Sequence, residues 1–263
     1  MANPLKEAWS ESRTAFGLWA AIPSSFSVEI AAGAGFDYVC VDQQHGVVDY
    51  AALVPMLQAI EAAGSAPITR VLSNNPFRIM KALDAGALGA IVPLVNGAAE
   101  AERAVAACRY PPHGDRSYGP IRASHVIGSR DPEDLAGEVL CIVMVETREG
   151  LERVEEIAAV PGLDGIYVGP ADLALSLGLP PSTNVTEPEH VEAVSKIKEA
   201  CRRYGIAAGI QASSGEWAKK YAEADFDMVT VATDASLLRN AARREAATAR
   251  GEHAGSGRGH GYS

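Results

Sequence analysis

Eight short apolar runs recur along the chain, and most are followed by a stretch with the spacing of an amphipathic helix. Within each run the apolar residues are continuous and do not alternate with polar ones, which is typical of strands buried on both faces of a parallel sheet. The runs span residues 15–22, 36–42, 66–71, 88–95, 140–146, 163–169, 206–212 and 227–233. This alternation of strand and helix predicts an α/β protein with a parallel sheet.

Chain length favours a closed barrel over an open sheet. The chain has 263 residues, of which 48% are hydrophobic, and this is enough for one large core. Eight strand–helix units in that length fit a (β/α)8 TIM barrel better than a doubly wound sheet, and no GxGxxG motif follows the first run. We therefore predict one TIM-barrel domain over residues 1–249 and a disordered, low-complexity tail over residues 250–263.

The net charge of the chain limits its partners. At −10, it disfavours nucleic acid and anionic membranes, because both would repel the surface. The first residues lack an apolar signal core, and no apolar run is long enough to span a membrane. The four cysteines are widely separated and form no CxxC pair, as in proteins of a reducing compartment. The sequence predicts a cytoplasmic, soluble protein that binds neither nucleic acid nor membrane.

Polar side chains stand at the carboxyl ends of the predicted strands. In a barrel these ends meet at one rim, where the catalytic groups of this fold lie. The residues expected at the rim are Trp19, Ser24, Ser25, Asp42, Gln44, His45, Arg70, Glu146, Asp172, Gln211 and Ser213. Any one of them could be an ordinary solvated strand end, but the acids Glu146 and Asp172 together with an imidazole and a guanidinium on one rim predict an active site.

The types of these residues indicate their chemistry. Glu146 and Asp172 offer two hard oxygen ligands that, with waters and a chelating substrate, would suit Mg²⁺, Mn²⁺ or Co²⁺. Arg70 can bind a carboxylate or stabilise a developing enolate. His45 can serve as a general base near neutral pH. Asp84 could orient that imidazole, although a charge on a helix surface explains this aspartate equally well.

The pair Gly169–Pro170 imposes a tight turn directly before a helix-like run. Backbone N–H groups at such a helix start can hold a carboxylate. Because this turn lies beside the predicted ligand Asp172, residues 169–172 form a candidate site for the carboxylate of a substrate.

The order of these motifs resembles the HpcH/HpaI family of class II, metal-dependent pyruvate aldolases, represented by 4-hydroxy-2-oxoheptanedioate aldolase. The matching motifs extend from Phe16 to Asp234 and so cover nearly the whole chain. The pairing of ETREGL with GPADLALSLG is specific, whereas DxxHG alone is a weak signal. The motifs are GLW, VDQQHG, ITR, LDAGALGAIVPLV, YPPHGDRSYGP, VMVETREGL and GIYVGPADLALSLG.

The resemblance implies a reaction and roles for individual residues. It implies a (β/α)8 lyase that reversibly cleaves 4-hydroxy-2-oxo acids into pyruvate (or hydroxypyruvate) and an aldehyde, through a metal-stabilised enolate. Glu146 and Asp172 would bind the divalent metal ion, and Arg70 would contact the oxo-acid carbonyl and the enolate. His45, supported by Asp84, would transfer protons.

The resemblance also implies contacts to substrate and to other subunits. Backbone amides of residues 169–172 would take the substrate carboxylate, and Gln44 would lie beside metal-bound waters. Family members are usually homohexamers, trimers of swapped dimers, in which the final helix (here residues 234–249) packs on a neighbour. Arg116 and Arg122 of the long connection would then reach an adjacent subunit's site. The implied substrate-binding residues are Trp19, Gln44, Arg70, Gly169, Pro170, Ala171 and Asp172.

Gln44 departs from the common family pattern, in which a glutamate precedes the histidine. Removing a negative charge near the metal should alter the pKa of bound water and the preference for polar or charged aldehydes. The resemblance therefore implies the type of reaction more strongly than it implies a heptanedioate substrate.

Two alternative functions are also compatible with the sequence. An acyl-CoA lyase of the malyl- or citramalyl-CoA type shares the metal–enolate chemistry, but the chain is short for that branch and shows no added CoA-binding segment. A non-catalytic oxo-acid-binding barrel would keep the polar rim for packing. In that case the presence of two carboxylates and an arginine on the same rim would be a coincidence. A Schiff-base aldolase is disfavoured, because every lysine falls on a predicted helix or the N-terminal arm.

Overall fold

All eight apolar runs form strands, and these close into a parallel barrel in chain order in a computed structural model that describes residues 3–251. The last strand pairs in parallel with the first. The predicted TIM barrel is therefore confirmed. The strands are β1 (Ala15–Ala20), β2 (Tyr38–Asp42), β3 (Ala66–Arg70), β4 (Gly89–Val92), β5 (Leu140–Val145), β6 (Gly165–Val168), β7 (Ala207–Gln211) and β8 (Met228–Thr233).

Helices cover the outside of the barrel, with at least one after every strand. Apolar residues on the outer face of the strands pack against these helices in one continuous core, and a second cluster fills the barrel interior. The helices are α1 (Pro4–Ser10), α2 (Ser25–Ala32), α3 (Tyr50–Ala62), α4 (Pro76–Asp84), α5 (Ala98–Cys108), α6 (Ala123–Ile127), α7 (Pro132–Gly137), α8 (Arg148–Glu152), α9 (Val154–Ala158), α10 (Pro170–Ser176), α11 (Pro188–Tyr204), α12 (Gly215–Glu223) and α13 (Asp234–Ala249).

Two tyrosines fill the barrel interior and meet at one threonine. Tyr167 donates to Oγ1 of Thr230 at 2.7 Å, and the hydroxyl of Tyr38 bonds the same oxygen at 2.8 Å. Each ring occupies space left by a glycine, since a Cβ on Gly17 would lie 2.2 Å from the Tyr38 ring and one on Gly209 would lie 2.6 Å from that of Tyr167. These buried hydroxyls are hydrogen-bonded, so the interior carries a polar connection between β2, β6 and β8 without an unpaired group.

Helix α1 closes the amino-terminal end of the barrel. Its residues Leu5 and Ala8 are fully buried. The side-chain amide of Asn3 donates to the carbonyls of Leu88 at 2.9 Å and Glu138 at 2.8 Å, just before β4 and β5 begin. With this end covered, access to the strands is from the carboxyl-end rim, where sites of this fold lie.

The long connection predicted over residues 110–138 lies at the same amino-terminal end. It follows the end of α5 and precedes β5, and it contains the short helices α6 and α7. Leu135 and Ala123 from these helices pack with Leu88, the residue before β4. The connection therefore covers the end of the barrel that is remote from the rim.

The two arginines of this connection that were expected to reach another subunit, Arg116 and Arg122, pair within their own chain. Nη2 of Arg116 donates to Oδ1 of Asp84 at 2.8 Å, and the Arg116 side chain is completely buried. Arg122 pairs with the Glu61 carboxylate and donates to the carbonyl of Ala85 at 2.9 Å. Within one chain each guanidinium is thus paired with a carboxylate, and the contact of these two side chains with an adjacent subunit's site stays a prediction.

Helix α13 is anchored at its first residue and exposed along most of its length. The carboxylate of Asp234 accepts the backbone N–H groups of Ala21 at 3.0 Å and Ile22 at 3.1 Å. Beyond this anchor, Leu237 and Leu238 are 47% and 62% exposed. Packing of this helix on a neighbouring subunit stays a prediction.

The described residues form the barrel with its surrounding helices and connections, together with α1 and α13. The tail predicted over residues 250–263 falls, from residue 252 onward, outside the described residues. Within residues 3–251, no helix combines the length and apolarity needed to cross a membrane.

Replacing Gly17 by alanine should destabilise the barrel. The new methyl group would overlap the Tyr38 ring in a closed interior, so we expect the free energy of unfolding to fall by about 3 kcal/mol, measured by urea denaturation. Gly137→Ala is the matched control, because a Cβ there meets nothing within 4 Å. Equal stability of the two variants would show that Gly17 and Tyr38 do not compete for the same space.

Candidate active site

Asp42 and Arg70 form a buried ion pair at the rim. They end the neighbouring strands β2 and β3, and the strand register sets them side by side. Arg70 donates from Nε to Oδ1 of Asp42 at 2.9 Å and from Nη2 to Oδ2 at 2.6 Å. Burial acts to raise the pKa of Asp42, but the hydrogen bonds and charge of Arg70 lower that pKa below its ordinary value. The bidentate contact fixes the guanidinium in one plane.

Trp19 packs against this arginine. The guanidinium carbon of Arg70 lies 5.0 Å from the centroid of the indole ring, within the range of a cation–π contact. The indole is 2% exposed, and its centroid lies 5.4 Å from that of Tyr167. Trp19 was predicted to bind substrate, and in the structure its ring supports Arg70 and connects the site to the polar interior of the barrel.

Glu146 directly follows β5 and is held in place by its surroundings. Its Oε1 accepts the backbone N–H of Leu94 at 2.9 Å, and a Cβ on Gly169 would lie 2.3 Å from its Oε2, so only glycine leaves room for this carboxylate. Burial raises the pKa of Glu146, the Leu94 bond opposes this, the charge of Asp172 adds to it and Arg70 opposes it. The resulting pKa is about 7.

Asp172 is the third residue of α10, next to Glu146. Gly169 is the N-cap of this helix and Pro170 occupies its first position, where the missing N–H of proline costs no hydrogen bond. The N–H groups of Ala171 and Asp172 fall in the first turn, which has no intrahelical acceptors for them. The turn predicted to hold a carboxylate therefore lies at the rim beside Glu146.

These carboxylates fit a divalent cation. Burial is the main reason that the pKa of Glu146 is raised, and the charge of Asp172 adds to the rise; a cation beside the two carboxylates would offset both effects. Among residues 3–251, no cluster of three or more His, Cys, Asp or Glu side chains is arranged to hold a metal. An ion held by Glu146 and Asp172 would therefore take its other ligands from water and substrate oxygens, as Mg²⁺ commonly does.

The segment after β2 turns back over the same carboxylate that holds Arg70. The backbone N–H groups of Gln44 and His45 donate to Oδ1 of Asp42 at 3.0 and 3.3 Å. The side chain of His45 is exposed, whereas Oε1 of Gln44 is buried with no hydrogen-bond partner in the described part of the chain. Asp42 thus positions both the arginine and the histidine.

Asp84 does not lie near His45 within the chain. It is the last residue of α4, at the end where β4 begins, whereas His45 follows the carboxyl end of β2. Its carboxylate instead binds the buried Arg116, whose guanidinium carbon lies 4.7 Å from the Tyr110 ring centroid. The predicted support of His45 by Asp84 is therefore not formed in one chain, because α4 carries Asp84 to the opposite end of the barrel.

The sequence alone does not reveal two features of the site. Asp42 was expected at the rim, but its pairing with Arg70 depends on the register of β2 and β3, which a single sequence does not display. Leu94 adopts a left-handed backbone conformation at φ 56°, which is rare for a leucine and directs its N–H toward Glu146. The signal for Asp42 was present, since an aspartate and an arginine close consecutive apolar runs.

Comparison with known proteins decides the family. The sequence profile described as HpcH/HpaI aldolase/citrate lyase matches residues 15–241. The chain belongs to this family. The predicted family is therefore confirmed, and with it the predicted reaction class, a carbon–carbon lyase of the aldolase type.

Individual members of the HpcH/HpaI family match along nearly their whole length. A hydroxypyruvate/pyruvate aldolase of Rhizorhabdus wittichii is 40% identical over 248 residues, covering 94% of this chain and 99% of the relative. A 4-hydroxy-2-oxo-heptane-1,7-dioate aldolase of Salmonella typhimurium is 37% identical over 253 residues, covering 94% of each. The crystal structure of a family member from Burkholderia cenocepacia superposes with a TM-score of 0.87 at 33% identity, covering 95% of this chain and all of that one (100%).

In this HpcH/HpaI protein, Glu146→Gln should raise stability at alkaline pH in the presence of EDTA. Because the pKa of Glu146 rises from an ordinary 4.5 to about 7 on folding, the ionised carboxylate costs stability. That cost is absent below about pH 4.5 and complete above about pH 7, where we expect the variant to exceed the wild type by up to ~3 kcal/mol. The measurement is the free energy of unfolding in denaturant from pH 5 to 8.5.

The control for this prediction is Glu149→Gln, three residues away. Glu149 is well exposed, with a side-chain exposure of 59%, so its neutralisation should give no pH-dependent gain. A Glu146→Gln variant that matches the wild type at pH 8 would contradict the prediction and show that the carboxylate is not strained.

Proposed function

We propose that this protein is a divalent-metal-dependent aldolase that reversibly cleaves 4-hydroxy-2-oxo acids into pyruvate or hydroxypyruvate and an aldehyde. The observation that carries the proposal is the convergence of Glu146 and Asp172 beside Arg70, with the pKa of Glu146 raised to about 7. The names of two relatives at 40% and 37% identity, a hydroxypyruvate/pyruvate aldolase and a 4-hydroxy-2-oxo-heptane-1,7-dioate aldolase, support 2-oxo acid substrates.

Binding of the oxo acid would use the two carboxylates and the start of α10. Glu146 and Asp172 would hold Mg²⁺, Mn²⁺ or Co²⁺, which when bound supplies a Lewis acid for the 2-oxo acid. The N–H groups of Ala171 and Asp172 would donate hydrogen bonds to the substrate carboxylate at the positive end of the helix. Trp19 and Gly169 would act indirectly, one by supporting Arg70 and the other by leaving room for Glu146.

Arg70 would stabilise the negative charge that develops on the oxo-acid oxygen. The two hydrogen bonds that Arg70 donates to Asp42 hold the guanidinium before any substrate arrives, so little reorganisation accompanies the reaction. Burial raises the pKa of Glu146 and the charge of Arg70 opposes that rise, so the guanidinium lies within electrostatic reach of this carboxylate. A lysine could not reproduce this contact, because it lacks the planar pair of donors.

His45 would move the proton. In the cleavage direction its imidazole takes the proton of the C4 hydroxyl, the C3–C4 bond breaks, and the aldehyde leaves. The electron pair of that bond stays with the enolate of the 2-oxo acid, which then takes up a proton at C3; synthesis is the reverse. The exposed side chain of His45 can exchange protons with water, while its backbone is fixed by Asp42.

Substrate preference and assembly complete the proposal. Gln44 presents a neutral amide at the rim. Its buried Oε1 lacks a hydrogen-bond partner among residues 3–251, so it could accept a hydrogen bond from a hydroxyl group of the substrate.

We propose a cytoplasmic homohexamer built as a trimer of dimers. The exposed Leu237 and Leu238 of α13 support association through this helix, since such side chains are usually covered.

Removal of divalent metal should abolish activity. After EDTA treatment and verified metal removal, cleavage of 4-hydroxy-2-oxo acids should stop, and Mg²⁺, Mn²⁺ or Co²⁺ should restore it. Asp172→Asn should lower kcat/KM at least ~100-fold at saturating metal, because a ligand is lost. The assay is aldol cleavage and synthesis with a panel of aldehydes against pyruvate and hydroxypyruvate. Full activity of the metal-free protein would contradict the mechanism.

Substitutions of His45 and Arg70 separate an enzyme from a binding protein. His45→Ala and Arg70→Ala should each lower kcat/KM by ~100-fold or more, because proton transfer and charge stabilisation are lost. Unchanged turnover in both variants would favour a non-catalytic oxo-acid-binding barrel. Turnover of malyl- or citramalyl-CoA in preference to free oxo acids would favour an acyl-CoA lyase.

A further inference from the structure

The loop that follows β4 is strained at Leu94, the residue whose N–H binds the candidate metal ligand Glu146. Leu94 has φ 56°, in the left-handed region that a leucine rarely occupies, and it donates its N–H to Oε1 of Glu146 at 2.9 Å. The Leu94 side chain is 50% exposed, so its burial contributes little to keeping the backbone in this conformation. A left-handed backbone at such a residue costs free energy and persists only where surrounding contacts hold it.

Asn96 connects this loop to the residue that follows Glu146. Its side-chain Nδ2 donates to the carbonyl of Leu94 at 3.3 Å, and its Oδ1 accepts the hydroxyl of Thr147. Because the Leu94 carbonyl can only accept, the atom that faces it must be the amide nitrogen, and the hydroxyl therefore donates to the amide oxygen. The same hydroxyl oxygen accepts the N–H of Gly150 at 3.0 Å as the N-cap of α8, so its own position is fixed.

The backbone of Asn96 is held from a second side. Its N–H donates to Oε2 of Glu100, in the first turn of α5, at 2.7 Å. The carbonyl of Glu100 in turn accepts Nδ2 of Asn74, which follows β3, at 2.9 Å. The N–H of Val95 donates to the carbonyl of Met144 in β5 at 3.1 Å. These bonds fix the two residues that follow Leu94 in the chain.

The contact between Asn96 and Thr147 lies beyond the strand ladder. Residues of β4 and β5 pair with each other up to Val92 and Val143, so the two strands are already joined without it. Both Asn96 and Thr147 are only half-buried, so they add little to the apolar core. What their contact can fix is the loop that binds Glu146.

We propose that Asn96 and Thr147 are positioning residues for the metal ligand Glu146. Their hydrogen bond holds Leu94 in its left-handed conformation, which keeps the Leu94 N–H on Oε1 and so fixes the orientation of the Glu146 carboxylate. The inference rests on the proposed function of Glu146 as a metal ligand. Because both residues act through the backbone of Leu94, they should affect binding of the ion more than the chemical step.

The test compares four variants of the full-length protein. Asn96→Ala removes the amide, Thr147→Val removes the hydroxyl at a similar volume, and Thr147→Ser keeps the hydroxyl. Asp131→Ala removes the N-cap of the short helix α7 at the other end of the barrel, and so controls for the helix cap that Thr147→Val also removes. The readouts are the Kd for Mn²⁺, from the electron paramagnetic resonance signal of the free ion, and kcat at saturating Mn²⁺.

We expect Asn96→Ala and Thr147→Val each to weaken Mn²⁺ binding about 10-fold, with kcat at saturating Mn²⁺ changed less than about 3-fold. Thr147→Ser should stay within about 3-fold of the wild-type Kd. Asp131→Ala should bind Mn²⁺ like the wild type even where its unfolding midpoint falls. Wild-type affinity in Asn96→Ala or in Thr147→Val, or equal losses in Thr147→Ser and Thr147→Val, would overturn the inference.

A further substitution, Leu94→Gly, tests whether the effect passes through the backbone of the loop. Glycine adopts the left-handed conformation without the strain of a leucine, so the loop should depend less on Asn96 to hold it. Adding Leu94→Gly to Asn96→Ala should therefore return the Kd for Mn²⁺ to within about 3-fold of the wild type. No recovery of affinity in the double variant would overturn the inference.

A measurement on the wild type covers the case in which the variants do not fold. A crystal structure of the wild type with Mn²⁺ should show Leu94 in the left-handed region, with its N–H on Glu146 and the Thr147 hydroxyl on Asn96. Leu94 in another conformation, or Thr147 separated from Asn96, would overturn this inference alone. A wild type that neither binds Mn²⁺ nor cleaves 4-hydroxy-2-oxo acids would overturn the proposed function first, and this inference with it.

Discussion

The site depends on the buried pairing of Asp42 with Arg70. Both side chains are 3–4% exposed, so each charge is acceptable at this depth only because the other neutralises it. Oδ1 of Asp42 accepts from Arg70 and also from the backbone of the turn that carries His45. A single carboxylate therefore orders the guanidinium of Arg70 and the backbone of His45, while Glu146 and Asp172 form the acidic part of the rim. This division leaves the negative charge where a cation would be useful.

Much of the fold was predictable because short continuous apolar runs are typical of strands with two covered faces, and eight of them alternating with helices in this length fit a closed barrel. Predicting the rim followed from the same logic, since a residue that directly follows a strand must lie at its carboxyl end. Glu146 and Arg70 were placed on this basis, and Asp172 is near enough for its charge to add to the rise in the pKa of Glu146 that burial causes. Their catalytic roles stay predictions.

The remaining features depend on contacts that periodicity does not encode. Asp84 reads as a helix residue in sequence, but its partner Arg116 lies in a connection without a repeating pattern, so nothing local identifies the pair. The left-handed backbone conformation of Leu94 could not be predicted from the sequence, because leucine favours ordinary helix and strand conformations. His190 occupies a buried position of an amphipathic helix, where the sequence alone does not distinguish a histidine from an apolar packing residue.

The hydrogen bonds of Tyr38 and Tyr167 to Thr230 inside the barrel have a consequence for how the chain folds. Tyr38 and Thr230 are separated by 192 residues, so their contact closes a loop that includes nearly all of the rim. Such distant contacts form late in folding because the intervening chain must first be ordered. A nascent chain that has not yet delivered β8 carries Glu146 and Asp172 on an unclosed sheet. Synthesis of the last strand would therefore mark the moment at which the site is enclosed.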